Sequence, residues 1–133
     1  MSDPRVAVVR LSLTRRTPVD DRERTSIARV LAELDRLSAP FDQHADPVHV
    51  TGSAIVVGEL GVVLLKHRRL GIWVQPGGHV DGAEWPWEAA RREAAEETGL
   101  AVELAGDVAL VHVDVHDGGR GHTHLDLRYL CNA

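Results

Sequence analysis

The chain has 133 residues, of which 44% are hydrophobic and 26% are charged, so its composition is ordinary for one globular domain with its own core. Its formal net charge of −5 argues against a stable complex with nucleic acid, because binding to a phosphate backbone relies on clustered Lys and Arg. A single cysteine, Cys131, excludes an internal disulfide and favours a reducing compartment, and no stretch is apolar over the length that spans a bilayer. We therefore expect a cytoplasmic protein that does not associate with membranes.

The first 47 residues are predicted to form a helical segment followed by a loop. Asp20 and Asp21 are favourable N-cap residues for a helix that continues to about Leu37. The apolar side chains that would share one stripe of this helix are Ile27, Val30, Leu31, Leu34 and Leu37. Residues 38–47 contain two prolines and no helical period, so we expect a loop there.

The core of the domain is predicted over residues 48–133, where strand-like and helix-like patterns alternate. Apolar and β-branched runs predict strands at Thr51–Val57, Val62–Lys66, Ile72–Gln75, Val108–Val115 and His122–Leu130, with a glycine-rich turn at 117–121. Pro86 suits the first turn of a helix and Gly99 the position just after its end, which predicts a helix over Pro86–Thr98. We expect an α/β fold with a helix packed on each side of a mixed sheet.

The predicted helix over 86–98 carries an unusual concentration of negative charge. Glu93, Glu96 and Glu97 lie at positions i, i+3 and i+4, which share one face of a helix. Like charges at this spacing weaken a helix unless a positive charge lies among them. Three carboxylates are hard oxygen ligands, which favour Mg²⁺ or Mn²⁺ as that charge.

The glutamates belong to a longer pattern, Gly78-x5-Glu84-x7-Arg92-Glu93-x2-Glu96-Glu97-x-Gly99-Leu100. This spacing resembles the signature of the Nudix hydrolases, from which the only soft departure is the small Ala94 at a position that is usually aliphatic. The resemblance implies a single domain over residues 1–133 with a Nudix-type α/β/α sandwich and a mixed β-sheet. The signature, here called the Nudix box, covers residues 78–100.

The resemblance also implies roles for individual residues. Arg92 would hold Glu93 in place and Glu84 would anchor the loop against the helix. The residues implied in catalysis are Glu84, Arg92, Glu93, Glu96 and Glu97. The implied ligands of Mg²⁺ or Mn²⁺ are Glu93, Glu96, Glu97 and the carbonyl of Gly77 or Gly78. The general base that activates water stays unassigned.

The activity implied by the resemblance is the hydrolysis of a phosphoanhydride bond in a nucleoside diphosphate linked to another moiety. A non-catalytic Nudix-fold nucleotide sensor or scaffold is the alternative, although such domains tend to lose box glutamates and this chain keeps all four. Isopentenyl diphosphate isomerisation on the same fold needs an interior catalytic cysteine, which Cys131 at the end of the chain fits poorly.

Polar residues alternate with apolar ones in the last two predicted strands. Two polar rows result, one with His112, Asp114 and His116, the other with His122, His124, Asp126 and Arg128. If 117–121 closes a hairpin, the rows lie side by side. They would form the solvated face of a sheet, a wall of a substrate cleft, or a transition-metal site made by His116, His122 and His124.

Three further expectations concern the substrate, the tryptophans and the edges of the sheet. The residues predicted to contact substrate are Arg68, Arg69, His79, His116, His122, His124 and Asp126. Trp85 and Trp87 are expected to pack rather than to stack on a base. Nudix domains usually continue through another strand and helix beyond the last strand predicted here. Three expectations stay open: the N-terminal helix covers the edge that their absence would expose, a partner copy in a homodimer covers it, or the domain is a shortened form.

Overall fold

The computed structural model describes residues 3–133. Its helices are α1 (Pro4–Arg15), α2 (Asp21–Arg36) and α3 (Pro86–Thr98). Its strands are β1 (Val48–Gly58), β2 (Gly61–Val63), β3 (Leu65–Lys66), β4 (Trp73–Val74), β5 (Gly77–His79), β6 (Glu103–Leu104), β7 (Leu110–Gly119) and β8 (His122–Asn132). Among residues 3–133, no helix combines the length and the apolar character that a membrane crossing requires.

A mixed sheet forms the centre of the molecule, as the sequence predicts. Its two long strands, β1 and β8, run parallel from the pair Val48–Thr123 to the pair Val57–Asn132. Strands β2 and β5 pair antiparallel with the other edge of β1, while β6 and β7 pair antiparallel with β8. The β3–β4 hairpin forms a separate two-stranded sheet, so the single strand predicted over Val62–Lys66 is wrong: it is divided between two sheets.

The two faces of the sheet differ in polarity because side chains alternate along β1 and β8. On one face lie the buried apolar residues Val50, Ala54, Val56, Leu125, Leu127, Tyr129 and Cys131. Helix α3 packs on this face so closely that a Cβ at Gly52 would lie 2.2 Å from the carbonyl oxygen of Pro86. The opposite face carries the polar side chains and is described with the site below.

Helix α2 covers the outer edge of β7. The Val113 amide donates to Glu23 Oε2 and the Val115 amide to Ser26 Oγ, each at 3.1 Å. Glu23 is fully buried, and it also accepts from Arg16 and from the amide of Val19. Helix α2 therefore supplies hydrogen-bond acceptors to β7 amides that would otherwise be unpaired.

The bounds of α2, Asp21–Arg36, confirm the helix predicted from Asp20 and Asp21 to about Leu37. Asp20 is the N-cap, and its side chain accepts a hydrogen bond from the amide of Glu23 at 2.8 Å. Helix α1 is not predicted from the sequence. It starts at an Asp3–Pro4 cap, but only Val9 and Leu13 are buried along its length, so its apolar stripe is too narrow to stand out. The short strands β5 and β6 were also missed, since neither has an apolar run of its own.

Candidate active site

Helix α3 carries the box glutamates close to the sheet because the residues that it packs against β1 are small. Ala89, Ala90 and Ala94 are fully buried against the sheet, which brings the helix backbone close to β1. The helix begins after Trp85, whose amide donates to the Glu88 carboxylate at 2.9 Å. It ends at Gly99, which adopts the left-handed conformation (φ 73°) that terminates helices readily.

Arg92 lies at the centre of the carboxylate cluster. It donates two hydrogen bonds to Glu84, at 2.8 and 3.0 Å, and one to Glu93 at 3.0 Å. It reaches Glu96 at 3.4 Å and the carbonyl of His79 at 3.1 Å. Burial alone would raise the pKa of Glu84, but the bonds from Arg92 and from the Asp81 amide hold that pKa below its usual value. One guanidinium thus ties the loop before the helix to two of the three helical carboxylates.

The pair Gly77–Gly78, at the start of the box, lies directly against these carboxylates. The amide of Gly77 donates to Glu97 Oε1 at 3.2 Å. A Cβ at Gly78 would lie 2.7 Å from Glu93 Cδ, which is well below the normal contact distance of about 3.5–4.0 Å between carbon atoms. Strand β5 can pass beside the cluster because Gly78 has no side chain, and it can pair closely with β1 because Gly77 has none.

The three helical carboxylates fit a divalent cation. Partial burial and the neighbouring Glu93 and Glu96 raise the pKa of Glu97 to about 7, against the opposing hydrogen bond from Gly77. Arg92 is already engaged by Glu84, so it offsets only part of the negative charge. Hard oxygen donors in a partly exposed position, with an unmet need for positive charge, suit Mg²⁺ or Mn²⁺.

A polar cavity of about 340 Å³ begins at the same double glycine and extends over the polar face of the sheet. Its lining residues are Thr51, Ser53, Val74, Gln75, Gly77, Gly78, Asp114, His116, His124, Asp126 and Arg128. Asp114 lies opposite Asp126 and His116 opposite His124 across the β7–β8 hairpin, so the predicted alignment of the two polar rows is confirmed. The rows form the wall of a cavity rather than an open face.

A family model described as NUDIX domain matches residues 47–132, which is well over half of the chain. The chain belongs to the Nudix family. The resemblance read from the box is thereby confirmed, together with the mixed α/β class of the fold.

Individual relatives resemble part of the chain. The probable DHNTP pyrophosphohydrolase of Lactococcus lactis subsp. cremoris is 32% identical over 88 residues, which cover 62% of this chain and 53% of that protein. Among solved structures, a NUDIX family hydrolase from Clostridium perfringens has a TM-score of 0.57 at 29% identity, with 63% of this chain and 67% of that one covered. The MutT NUDIX hydrolase from Burkholderia pseudomallei has a TM-score of 0.52 at 33% identity, with 63% and 66% covered. This chain thus spans about half the length of the curated relative.

Arg128 is a positively charged side chain that lines the cavity of this Nudix domain, and it is absent from the contacts predicted for substrate. It donates to Asp126 at 3.0 Å and approaches Asp114 at 3.5 Å. With its amide oxygen turned towards Arg128, Gln75 accepts two further bonds at 2.6 and 2.9 Å. The period-two alternation of β8 places Arg128 on the same face as Asp126, so this signal was present in the sequence.

The predicted contacts Arg68 and Arg69 lie elsewhere. Both are exposed in the turn between β3 and β4, and neither lines the cavity. The turn is closed by the amide of Gly71, which donates to the carbonyl of His67 at 2.8 Å. Neither arginine is therefore among the residues that enclose the cavity beside Gly77 and Gly78.

Asp126 and Asp114 organise the floor of the cavity. Asp126 Oδ1 accepts from Thr51 Oγ1 at 2.9 Å and from Ser53 Oγ at 2.7 Å. Asp114 pairs with Arg22 of α2 at 2.9 Å and with His116 Nδ1 at 3.0 Å. Burial alone would raise the pKa of Asp114, but these partners hold it below the usual value.

The histidine rings form one cluster, in which His122 lies 5.3 Å from His49 and His116 lies 5.7 Å from His124 between ring centroids. Within it, the trio that brings three ring nitrogens within 4.8 Å of one another is His49, His79 and His124, which differs from the predicted trio. His124 lies near His49 and His79, with ring centroids 5.2 Å from each, whereas the predicted trio combined it with His116 and His122. Burial and the neighbouring histidines lower the pKa of His124 to about 4, and burial and His49 lower that of His79. His49 was missed because it stands alone in the sequence, although it alternates with Thr51 and Ser53 on β1.

The two tryptophans at the start of α3 pack as the sequence predicts. The rings of Trp85 and Trp87 are stacked, with centroids 4.9 Å apart and planes 12° apart. Trp87 also meets Tyr129 of β8 edge to face, with ring centroids 6.0 Å apart. These contacts attach the start of α3 to the sheet.

Proposed function

We propose that this Nudix protein is a divalent-metal-dependent hydrolase that cleaves a phosphoanhydride bond in a nucleoside diphosphate linked to another moiety. One observation carries the proposal. The box carboxylates, arranged around Arg92, and the polar cavity meet at the Gly77–Gly78 strand. The name pyrophosphohydrolase of the Lactococcus lactis relative supports the same bond type.

The metal ligands in this proposal are Glu93, Glu96, Glu97 and the carbonyl of Gly77. When bound there, Mg²⁺ or Mn²⁺ would neutralise the pyrophosphate and lower the pKa of the attacking water. Arg92 and Glu84 are positioning residues. Arg92 fixes the direction of the Glu93 carboxylate, and its paired bonds to Glu84 prevent the guanidinium from moving with the helix side chains.

The cavity is the proposed site for the rest of the substrate. Its volume of about 340 Å³ is within the range of small-molecule sites, which is about 300–1,000 Å³. The cavity wall offers hydrogen-bond donors and acceptors on Gln75, His116 and Asp126, which suit a ribose or a base. Arg128 is the proposed phosphate contact, in preference to Arg68 and Arg69. His79, His122 and His124 remain proposed neighbours of the substrate.

The test is hydrolysis of a panel of nucleoside di- and triphosphates, nucleotide sugars and dinucleotides, with and without Mg²⁺. We expect phosphate or nucleotide release from at least one compound that depends on added metal. Glu96→Gln and Glu97→Gln should each lower kcat on that compound by about 100-fold or more, since each removes a charged ligand without changing the volume. Glu103→Gln, on the exposed β6 strand, is the matched control and should leave kcat unchanged.

Two results would contradict the proposal. Full turnover in the presence of a chelator would show that the reaction does not require a metal. Wild-type kcat in both glutamine variants would show that these carboxylates do not hold it. Nucleotide binding without turnover across the whole panel would favour the sensor alternative instead.

A further inference from the structure

We propose that His49, His79 and His124 form a second metal site, separate from the box carboxylates, that takes a borderline-soft transition-metal ion, with Zn²⁺ as the expected occupant. The inference does not depend on the proposed hydrolase activity. It follows from the positions of three imidazoles on the polar face of the sheet and from the nitrogen atoms that they leave unpaired.

The sheet register itself brings these residues together. His49 on β1 lies directly opposite His124 on β8 in the parallel pairing. His79 on β5 lies opposite Thr51, two residues further along β1 on the same face. Because β5 and β8 flank β1 on opposite sides, the three side chains converge from three adjacent strands. Backbone hydrogen bonds thus hold the ligands in place, which limits the entropy lost when an ion binds.

The distances are close to those of a three-histidine site. One ring nitrogen from each of the three residues lies within 4.8 Å of the other two. In a tetrahedral zinc site with Zn–N distances of about 2.05 Å, ligand nitrogens are about 3.3 Å apart. Small side-chain rotations that move each ring nitrogen by about 1 Å would therefore complete the coordination, with no change in the strands.

Two of the ring nitrogens are buried without a hydrogen-bond partner among the described residues. His49 is fully buried, and its Nδ1 lies 3.0 Å from the carbonyl oxygen of Asp46. Since a carbonyl only accepts, Nδ1 carries the hydrogen and the lone pair is on Nε2. That Nε2 has no partner in residues 3–133, and neither has His79 Nε2.

Leaving such groups unpaired is costly, and a metal ion removes the cost for both at once. A buried polar atom without a hydrogen-bond partner destabilises the folded state, because it loses its bonds to water and gains none in the protein. A carbonyl that holds the far nitrogen of a ligating histidine is the usual outer-shell arrangement around zinc. The donor set of three imidazoles suits Zn²⁺ and not Mg²⁺, which prefers oxygen.

The cavity gives an ion access to this site. His124 lines the cavity, so one of the three ligands lies at its surface and an ion can reach the site from there. Gly118 permits the position of the His124 ring, because a Cβ there would lie 2.4 Å from His124 Nε2. The end of β7 can therefore cross over the ring without displacing it.

The experiment measures metal binding directly. Chelator-treated protein is titrated with Zn²⁺ by calorimetry and with Co²⁺ by visible absorption, in the presence of excess Mg²⁺ to occupy the box. We expect one Zn²⁺ per chain and a Co²⁺ spectrum typical of tetrahedral nitrogen ligation. His49→Ala, His79→Ala and His124→Ala should each weaken Zn²⁺ binding at least 10-fold.

Two variants serve as controls. His67→Ala removes a histidine from the distant β3–β4 turn, and Glu96→Gln removes a box carboxylate. Both should keep the Zn²⁺ affinity and the Co²⁺ spectrum. If His49→Ala does not fold, His124→Gln at the more accessible ligand decides the question. Absence of Zn²⁺ binding, its retention in the His variants that fold, or its loss in either control would overturn the proposal.

Discussion

Replacing Gly78 by alanine should separate catalysis from folding in this protein. The added Cβ would lie 2.7 Å from Glu93 Cδ and 2.9 and 3.0 Å from its two oxygens. Carbon atoms in contact are normally about 3.5–4.0 Å apart, so the Glu93 carboxylate must move by about 1 Å. That movement weakens its 3.0 Å hydrogen bond to Arg92 and displaces a proposed metal ligand.

The expected effect on the rate is large and the effect on stability small. A displacement of about 1 Å in a catalytic group can lower the rate about 100-fold. The atoms that clash belong to the far end of a flexible side chain, so the backbone of β5 need not move. We therefore expect kcat/KM to fall about 100-fold, while the thermal midpoint changes by no more than about 3 °C.

Two glycines on the neighbouring strand β1, Gly52 and Gly58, are matched controls for Gly78 on β5. The nearest atom to a Cβ at Gly58 is 3.9 Å away, so Gly58→Ala should change neither quantity. A Cβ at Gly52 would lie 2.2 Å from the backbone oxygen of Pro86, so Gly52→Ala should push α3 off the sheet and lower the thermal midpoint strongly.

The assay compares kcat/KM on the best substrate of the panel with the thermal midpoint for all three variants. If Gly78→Ala retained kcat/KM within about twofold of wild type, the position of Glu93 would not limit the reaction. A Gly78→Ala protein that was as unstable as Gly52→Ala would refute the argument differently, because the strain would then lie in the backbone.

Three further predictions concern charge. Arg92→Lys should lower kcat/KM at least 10-fold, because an ammonium cannot reproduce the paired bonds to Glu84; an unchanged value would contradict the positioning role. Glu97→Gln should raise the thermal midpoint of the metal-free protein by about 2–4 °C, because it removes one of three like charges. It should also abolish the increase in thermal midpoint that Mg²⁺ causes in the wild type. A lowered midpoint in the metal-free variant would contradict this. Glu23→Gln should lower the free energy of unfolding in urea by about 3 kcal/mol, since Arg16 loses a buried counter-charge. Burial would raise the pKa of Glu23, but Arg16 and the Val19 amide hold it below the usual value. The stabilisation from ionised Glu23 should thus be complete well above the unfolded pKa of about 4.3 and decrease as the pH falls through the folded pKa. If the thermal midpoint of Glu23→Gln depended on pH as strongly as that of the wild type, this reasoning would be refuted.

The parts of the fold that were predicted correctly have strong local signals. Helix α3 was predicted over its full length because Pro86 and Gly99 mark its two ends. Helix α2 was predicted from its Asp20 cap and its apolar stripe. Helix α1 was missed because only Val9 and Leu13 face the core, so its pattern is carried by two positions.

The sequence by itself determined the carboxylate helix, its family and the alternation of polar residues along β7 and β8. These features depend on spacing within one element, where neighbours in sequence are neighbours in space. Only the tertiary structure decided which residues meet across elements. Strand register brought His49 beside His79 and His124, and the packing of β5 against α3 set Gly78 against Glu93. Such contacts depend on how strands far apart in the chain are aligned. Alternation along one strand shows which side chains share a face, and without a connecting turn it does not identify the partner strand.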